Sequence, residues 1–521
     1  MFHLEKNQNP KTNSQLLEKI TGSQLQISEA LEETEQLFHL CQENKIPPFP
    51  TYANTHTQAP SSTKKMAELL WRVFSKPANY QERTMISVDA NGNVIPDWKE
   101  KLDQEFSLLK KNINSEVYLL DFGAIGDGKT DCTLAFKRAI GRGRVKVVVP
   151  EGVFITKGIK LPSWTWLIGV GKGVTKIKLH DEATKDTRLV TNANHWKGNH
   201  YIFVGSLSLD WNVERLGNVE KTSSGGNHSS CLTFANVTYG WVRDVEAINP
   251  GLHCFDISST MYNYAGDGYR ARGGSKYVWL DGLNGFGFGD DGITTHHSDH
   301  IFISRSHMCD PSGRAHQKGF SNSNGFEIDD GSQNVLLVEN STARCFGGVE
   351  IKAHQNSSAA SNVQIVGHIS VNDNRSYNFR HIGHHKNTDP ESKSAYNILA
   401  TNIVSVAPVF TDLYKDSSPR GLVVSAYKNV VINHFTLIGD PDYDLKKNPV
   451  VAIQYRARNV ILNHVTLKNF QKTGPGVKVF GGSNRADSVR IRNVKFDSSL
   501  KKAIEVGQNV HDIKIENVKT F

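Results

Sequence analysis

The chain has 521 residues, 38% of them hydrophobic, with 43 glycines, 17 prolines and a formal net charge of +8. Those figures fit a soluble, turn-rich protein and exclude a disordered one. No apolar run of about 18 residues occurs and no dense Lys/Arg block, so neither membrane insertion nor nucleic-acid binding is expected.

The opening MFHLEKNQNPKTNSQ lacks the apolar core of a secretory signal. The six cysteines, at 41, 132, 231, 254, 309 and 345, have no CxxC spacing and read as reduced, buried thiols of a chain made in a cytosol. Residues 14–44 predict a helix: Leu17, Ile20, Gln24, Ile27, Leu31, Thr34, Phe38 and Cys41 alternate steps of three and four. That heptad seam favours self-association over packing within its own domain. Residues 1–45 are therefore expected to form an N-terminal coiled-coil region. IPPFPTYANTHTQAPSST (46–63) reads as a linker. With short helices at 63–75 and 97–114 it makes up a second region, 46–115; Pro96 and Asp97 give the later helix its start signal.

From residue 116 the apolar period becomes two. WVRDVEAI (241), YVWLDGLNG (277), IFISRSHM (301), VLLVENSTA (335), VQIVGHISV (363), ILATNIVSV (398), VVINHFTLI (430), VILNHVTLK (460), VRIRNVKFD (489) and IKIENVKTF (513) recur at intervals of two to three dozen residues, often after Asn. Such intervals are too long for hairpins, and no helices separate the strands. Residues 116–521 therefore predict an all-β solenoid, a parallel β-helix in which each repeat is one coil.

The motif VYLLDFGAIGDGKTDCTLAFKRAI (117–140) supports this. It resembles the opening of the pectate-lyase-like superfamily of right-handed β-helices, with Cys132 in place of the signature's second aspartate. The resemblance spans about 116–521 and implies fold, not chemistry.

The stretch GFGFGDDGITTHHSDHIFIS (285–304) sets two carboxylates side by side. Asp-Asp-Gly is an ordinary turn, yet a site is the favoured reading when coils are set in register. With Val278, Ile301, Val335 and Val363 as anchors, an equal step back from each reaches Asp267, Asp290, Asn324 and Lys352. A polar column holding two acids, an amide and a lysine suits glycosidic cleavage, which needs one protonated and one ionised carboxyl. The segment around it is similar to the polygalacturonase branch of inverting glycoside hydrolases. That resemblance implies that Asp267, Asp290 and Asp291 supply acid and base and that Lys352 binds substrate. It departs from the branch at Asn324, which stands for a histidine, and at Glu350, which stands for an arginine and argues against pectin as substrate. His316 is a candidate for the missing histidine. Glu327, Asp329 and Asp330 either line the groove or form the next turn, the turn being favoured. No metal or other cofactor is expected, because His296 and His297 should face opposite ways on a strand. Tyr262, Tyr264 and Tyr269 could stack on sugars, though solenoid aromatics are more often core.

An N-terminal helix, a linker and an acidic β-helix together resemble phage tail-spike and appendage proteins. That likeness implies a virion location, other tail proteins as partners of the N-terminal region, a homotrimer, and binding and hydrolysis of a host surface polysaccharide. Three alternatives stand beside it: a teichoic-acid phosphodiesterase, a polysaccharide lyase and a non-enzymatic receptor-binding spike.

Overall fold

The computed structural model describes residues 2–22, 25–44 and 62–521. The expected linker, 46–63, lies up to residue 61 outside the described residues. From Ser115 onward the chain winds as a right-handed parallel β-helix whose strands form one sheet of 12 and one of 21. The larger sheet turns a corner within a coil. The long strand Val237–Ile248, for example, pairs with both Lys276–Asp281 and Asn284–Phe286 of the next coil.

The anchors stack as the repeat predicts. Val278, Ile301, Val335, Val363, Ile398, Val430, Val460, Val489 and Ile513 are consecutive register partners. Just before the first seven stand Tyr277, His300, Asn334, Asn362, Asn397, Asn429 and Asn459, all with φ between 52° and 61°. Asparagine tolerates that left-handed conformation better than most residues, which explains its recurrence at the start of each repeat. Asn397 donates to Asn362 (2.9 Å), Asn429 to Asn397 (3.1 Å) and Asn459 to Asn429 (2.7 Å), so the corner carries its own hydrogen-bond ladder. Inward side chains such as Val278, Leu280, Ile301, Ile303, Val335 and Leu337 form one continuous dry core.

The superfamily motif builds the blunt end. Asp127 accepts from the amides of Lys129 and Thr130, and Asp131 from that of Thr133, the first residue of a short helix, Thr133–Ile140. These carboxylates shape turns. All six cysteines are free and buried.

The N-terminal region differs from expectation. Two helices replace the single one: α1 (Asn13–Thr21), which ends at Gly22 with φ 68°, and α2 (Ile27–Glu43). The seam predicted to self-associate is covered by the chain's own solenoid. Leu37, Phe38 and Cys41 pack on Leu399, Val431 and Ile461, while Leu17 packs among residues that include Ile369 and Val404. A heptad pattern records that a helix has one buried face; it does not say what buries it. α3 (Ser62–Val73) and α4 (Lys99–Lys111) match the two shorter predicted helices, and Leu102 and Leu109 of α4 dock in a cluster with Phe203, Trp241 and Phe302.

Candidate active site

The acids gather on the outer face of the 12-stranded sheet. Along its strands Phe255, Ile257, Ile293, Phe326, Ile328, Val349, Ile351, Tyr377 and Phe379 point into the core, so by the period of two their neighbours point out. Asp256, Thr294, Glu327, Glu350 and Asn378 are successive register partners on this face. Two residues further along each coil run His296, Asp329, Lys352 and Arg380, with Lys352 and Arg380 in register. Three residues before the first row stand His253, Asp291, Asn324 and Gly347.

Polar contacts knit these rows together. Asn324 donates to Asp291 Oδ1 from its backbone amide (2.9 Å) and its side chain (3.0 Å), and its side chain also reaches Glu327 (3.1 Å). Thr294 donates to Glu327 (3.0 Å), and Lys352 Nζ lies 2.6 Å from Glu327 and 3.7 Å from Asp329. Glu350 is paired with Arg380 and accepts from Asn378 (3.1 Å). His253 Nδ1 lies 3.0 Å from Asp256, and its Nε2 lies 3.7 Å from Asp290 and 3.6 Å from Asp291. His316, from the long segment after Asp310, brings Nε2 to 2.8 Å from Asp290 Oδ1.

The two adjacent aspartates titrate in opposite directions. Burial alone would raise Asp290, but His316 and His253 outweigh it and hold the carboxyl well below the usual range. For Asp291, burial and then the charges of Asp290 and Glu327 push it far above that range. Burial opposes a charge on His253, yet Asp256 and Asp290 raise it to about 9. Lys352 stays protonated despite burial, through Glu327 and Asp329. These surroundings favour the charge on Asp290 and the proton on Asp291, and among the described residues Asp291 Oδ2 has no hydrogen-bond partner. Tyr262 closes the group from the loop above, donating to Asp256 (3.0 Å) and stacking on His296 at 3.8 Å. His253, Asp290 and Asp291 also offer three atoms close enough to share a cation, as do His296, Glu327 and Asp329. In the second set Lys352 already supplies the positive charge.

Residues 117–222 match the family model for rhamnogalacturonase A/epimerase, pectate lyase-like. A putative phage-related protein of Bacillus subtilis, YobO, is 49% identical over 84% of this chain and 54% of its own length. The pre-neck appendage protein of Bacillus phage phi29 is 44% identical over 76% of this chain and 46% of its own length. The crystal structure of the N-terminal fragment of phi29 gene product 12 superposes with a TM-score of 0.73 at 41% identity, covering 81% of this chain and 69% of that fragment. The chain belongs to the pectate-lyase-like β-helix family that includes these phage appendage proteins. It spans about half the length of the curated relatives it matches.

Within this family fold, the predicted column of Asp267, Asp290, Asn324 and Lys352 does not form: Asn324 shares its row with Asp291, and Lys352 and Asp267 lie elsewhere. Asp267 does not stack on Asp290. It lies in the loop between the strands Phe255–Ser258 and Tyr269–Ala271, where it accepts from the amide of Lys393 (2.7 Å) and the hydroxyl of Ser394 and faces His384 at 3.8 Å. Among the described residues it shares no hydrogen bond or ion pair with Asp290 or Asp291. Phe255 pairs with Ile293, which seats His253, not an aspartate, under Asp291. The same shift moves the column: Lys352 stands in the row of Asp329, not of Asn324. Glu327 and Asp329, favoured as turn residues, are strand-end groups of the cluster. Asp330, at the turn, binds His354 (3.1 Å). The arginine missing at Glu350 is present one coil later as Arg380, and its charge is spent on Glu350. His253, Asp256 and Arg380 escaped the sequence reading. HCFDIS (253–258) and NFRH (378–381) carried their signal as short polar–apolar alternations aligned with DDGITT.

Proposed function

We propose that this protein is a phage appendage subunit that binds a host cell-surface polysaccharide and hydrolyses it by carboxylate acid/base catalysis. The observation that carries the reading is a pair of adjacent carboxyls on one outward face, with His316 and His253 set against Asp290 and burial acting on Asp291, so that their titrations are driven apart. Asp290, whose side chain is 16% exposed against 1% for Asp291, activates water as the base. Asp291 holds the proton destined for the leaving oxygen. His316 and His253 keep Asp290 ionised, and Lys352 with Asn324 fixes the acid cluster and its substrate-facing oxygens. Relatives named as pre-neck appendage proteins support assembly with other virion components, and the net positive charge suits an anionic polymer. A homotrimer remains part of the proposal, without help from the heptads of α1 and α2.

A second reading, a teichoic-acid phosphodiesterase, draws on the three cationic groups, His253, His316 and Lys352, that converge on the acids. Incubation with cell-wall glycans and mass spectrometry of the fragments separates the two. New reducing ends support the glycosidase, and polyol phosphate units support the phosphodiesterase. Unsaturated sugars would instead indicate a lyase. Intact polymer with retained binding would end both hydrolytic readings and leave a receptor-binding spike.

A further inference from the structure

Beyond the acid cluster lies a cavity of opposite charge. The strand Ser75–Pro77 runs antiparallel to Tyr269–Ala271, which sets Lys76 opposite Arg270. Beneath it Thr238, Lys276, Asp299 and Gln333 are register partners on four successive coils. These elements enclose about 370 Å³ lined by Lys76, Arg270, Arg272 and Lys276, with His297, Gln333 and Asp299 completing the walls.

The charges do not cancel. Asp299 is the acid of this lining, and its oxygens are already taken: Oδ1 by His300 (2.7 Å) and Asn334 (3.0 Å), Oδ2 by Gln333 (3.0 Å). Arg270 is 4% exposed; its Nη2 donates to Ser361 (2.7 Å), but among the described residues its Nε finds no hydrogen-bond partner. Arg272 spends Nε on the Ser75 carbonyl (3.0 Å). His297 is neutral, accepting from the Ala271 amide and donating to the Asn263 carbonyl, both at 3.1 Å. Burial and then Lys276 lower Lys76, Asp299 opposes them and Arg270 and Arg272 add to the lowering, as expected where cations outnumber the one acid. A buried guanidinium with a free N–H beside two lysines is the chemistry that holds an oxyanion.

We propose that this cavity binds one phosphate or carboxylate group of the polymer, so that the substrate is a polyanion gripped beside the acid cluster. The inference rests on the catalytic reading only for the word substrate; the anion site itself stands on Lys76, Arg270, Arg272 and Lys276. Its place suits that role. His297 follows His296 of the outward row, and Gly331 of the cavity follows Asp330, so the cavity comes next along these coils after the acid cluster. The loop that carries Tyr262 and Tyr264 joins the two regions.

Isothermal titration of glycerol phosphate and of glucuronate into the full chain tests the proposal, alongside the Lys76→Gln/Lys276→Gln and Asp290→Asn variants. The expected result is saturable, salt-sensitive binding of at least one ligand to the wild type and to Asp290→Asn, at least tenfold weaker in the double lysine variant. Saturation by glycerol phosphate alone points to a polyol-phosphate polymer, and by glucuronate alone to a uronic-acid polymer. If neither ligand binds the wild type, or the lysine variant binds as tightly, the anion site is overturned. Intact anion binding with no cleavage of any wall polymer would end the catalytic reading and leave this site standing.

Discussion

His316 Nε2 stands 2.8 Å from Oδ1 of Asp290, while His253 approaches the other oxygen of the same carboxylate at 3.7 Å. Two histidines from distant parts of the chain therefore clamp one acid in its ionised form. Its neighbour Asp291 is left to carry the proton.

Replacing either aspartate should stop the chemistry. Asp290→Asn and Asp291→Asn are each expected to slow polymer cleavage by about 10²–10⁴-fold. Asp267→Asn should leave the rate within about threefold, because Asp267 is engaged with Lys393 and Ser394. Fragment release by the three purified variants, compared with the wild type, decides the assignment. A large loss at Asp267 would return it to the site.

The histidine clamp sets a pH window. His253 is raised in the folded state to about 9 from an unfolded value of 6.5. Its stabilisation is therefore complete below 6.5 and disappears as pH climbs through about 9. The full effect is worth roughly 3 kcal/mol. Thermal unfolding followed from pH 6 to 10 should show this alkaline loss in the wild type and a flatter profile in His253→Gln. His316 is also raised, by Asp290; activity should fall at alkaline pH as Asp291, raised by burial and by Asp290, gives up the proton the reaction needs.

Lys352 is nearly buried between Glu327 and Asp329. Lys352→Met should cost about 3–5 kcal/mol, since it leaves buried carboxylates without their cation. Adding Glu327→Gln should restore part of that loss. Denaturant midpoints of the single and double variants measure the coupling. Losses that simply add across Lys352→Met, Glu327→Gln and the double variant would mean that the pair does not interact.

α2 should behave as part of the solenoid. Phe38→Ala, which empties a contact with Leu399, Val431 and Ile461, is expected to cost about 3–5 kcal/mol. Amide exchange should speed across Ile27–Glu43, while the oligomeric state stays unchanged. Dissociation of an oligomer in this variant would instead support the heptad seam as an interface between copies.

Much of this architecture was readable from the residues. The inward Val and Ile of each repeat and the left-handed Asn before it gave the register of the larger sheet, because both features recur at the same corner of every coil. The second sheet was not readable by counting. Phe255 and Ile293 are partners, yet the stretch from Phe255 to Val278 is far longer than that from Ile293 to Ile301 because it holds the loop with Tyr262, Tyr264 and Asp267. An equal step back thus fell into the loop in one coil and near the strand in the next. The acids Asp290 and Asp291 survived that error because they sit in the short coil. His253 did not, since a lone histidine in HCFDIS carries no motif.

Glu33 of α2 reaches across two turns of the spiral at once, with His434 at 3.1 Å and His464 at 3.2 Å, while Thr34 touches Thr401 at 2.8 Å on a third. The helix works as a splint laid over the layers. Any tug that slides one layer past the next must tear these rivets as well as the strand ladder, so this flank should be the last to shear when the rod is loaded end to end.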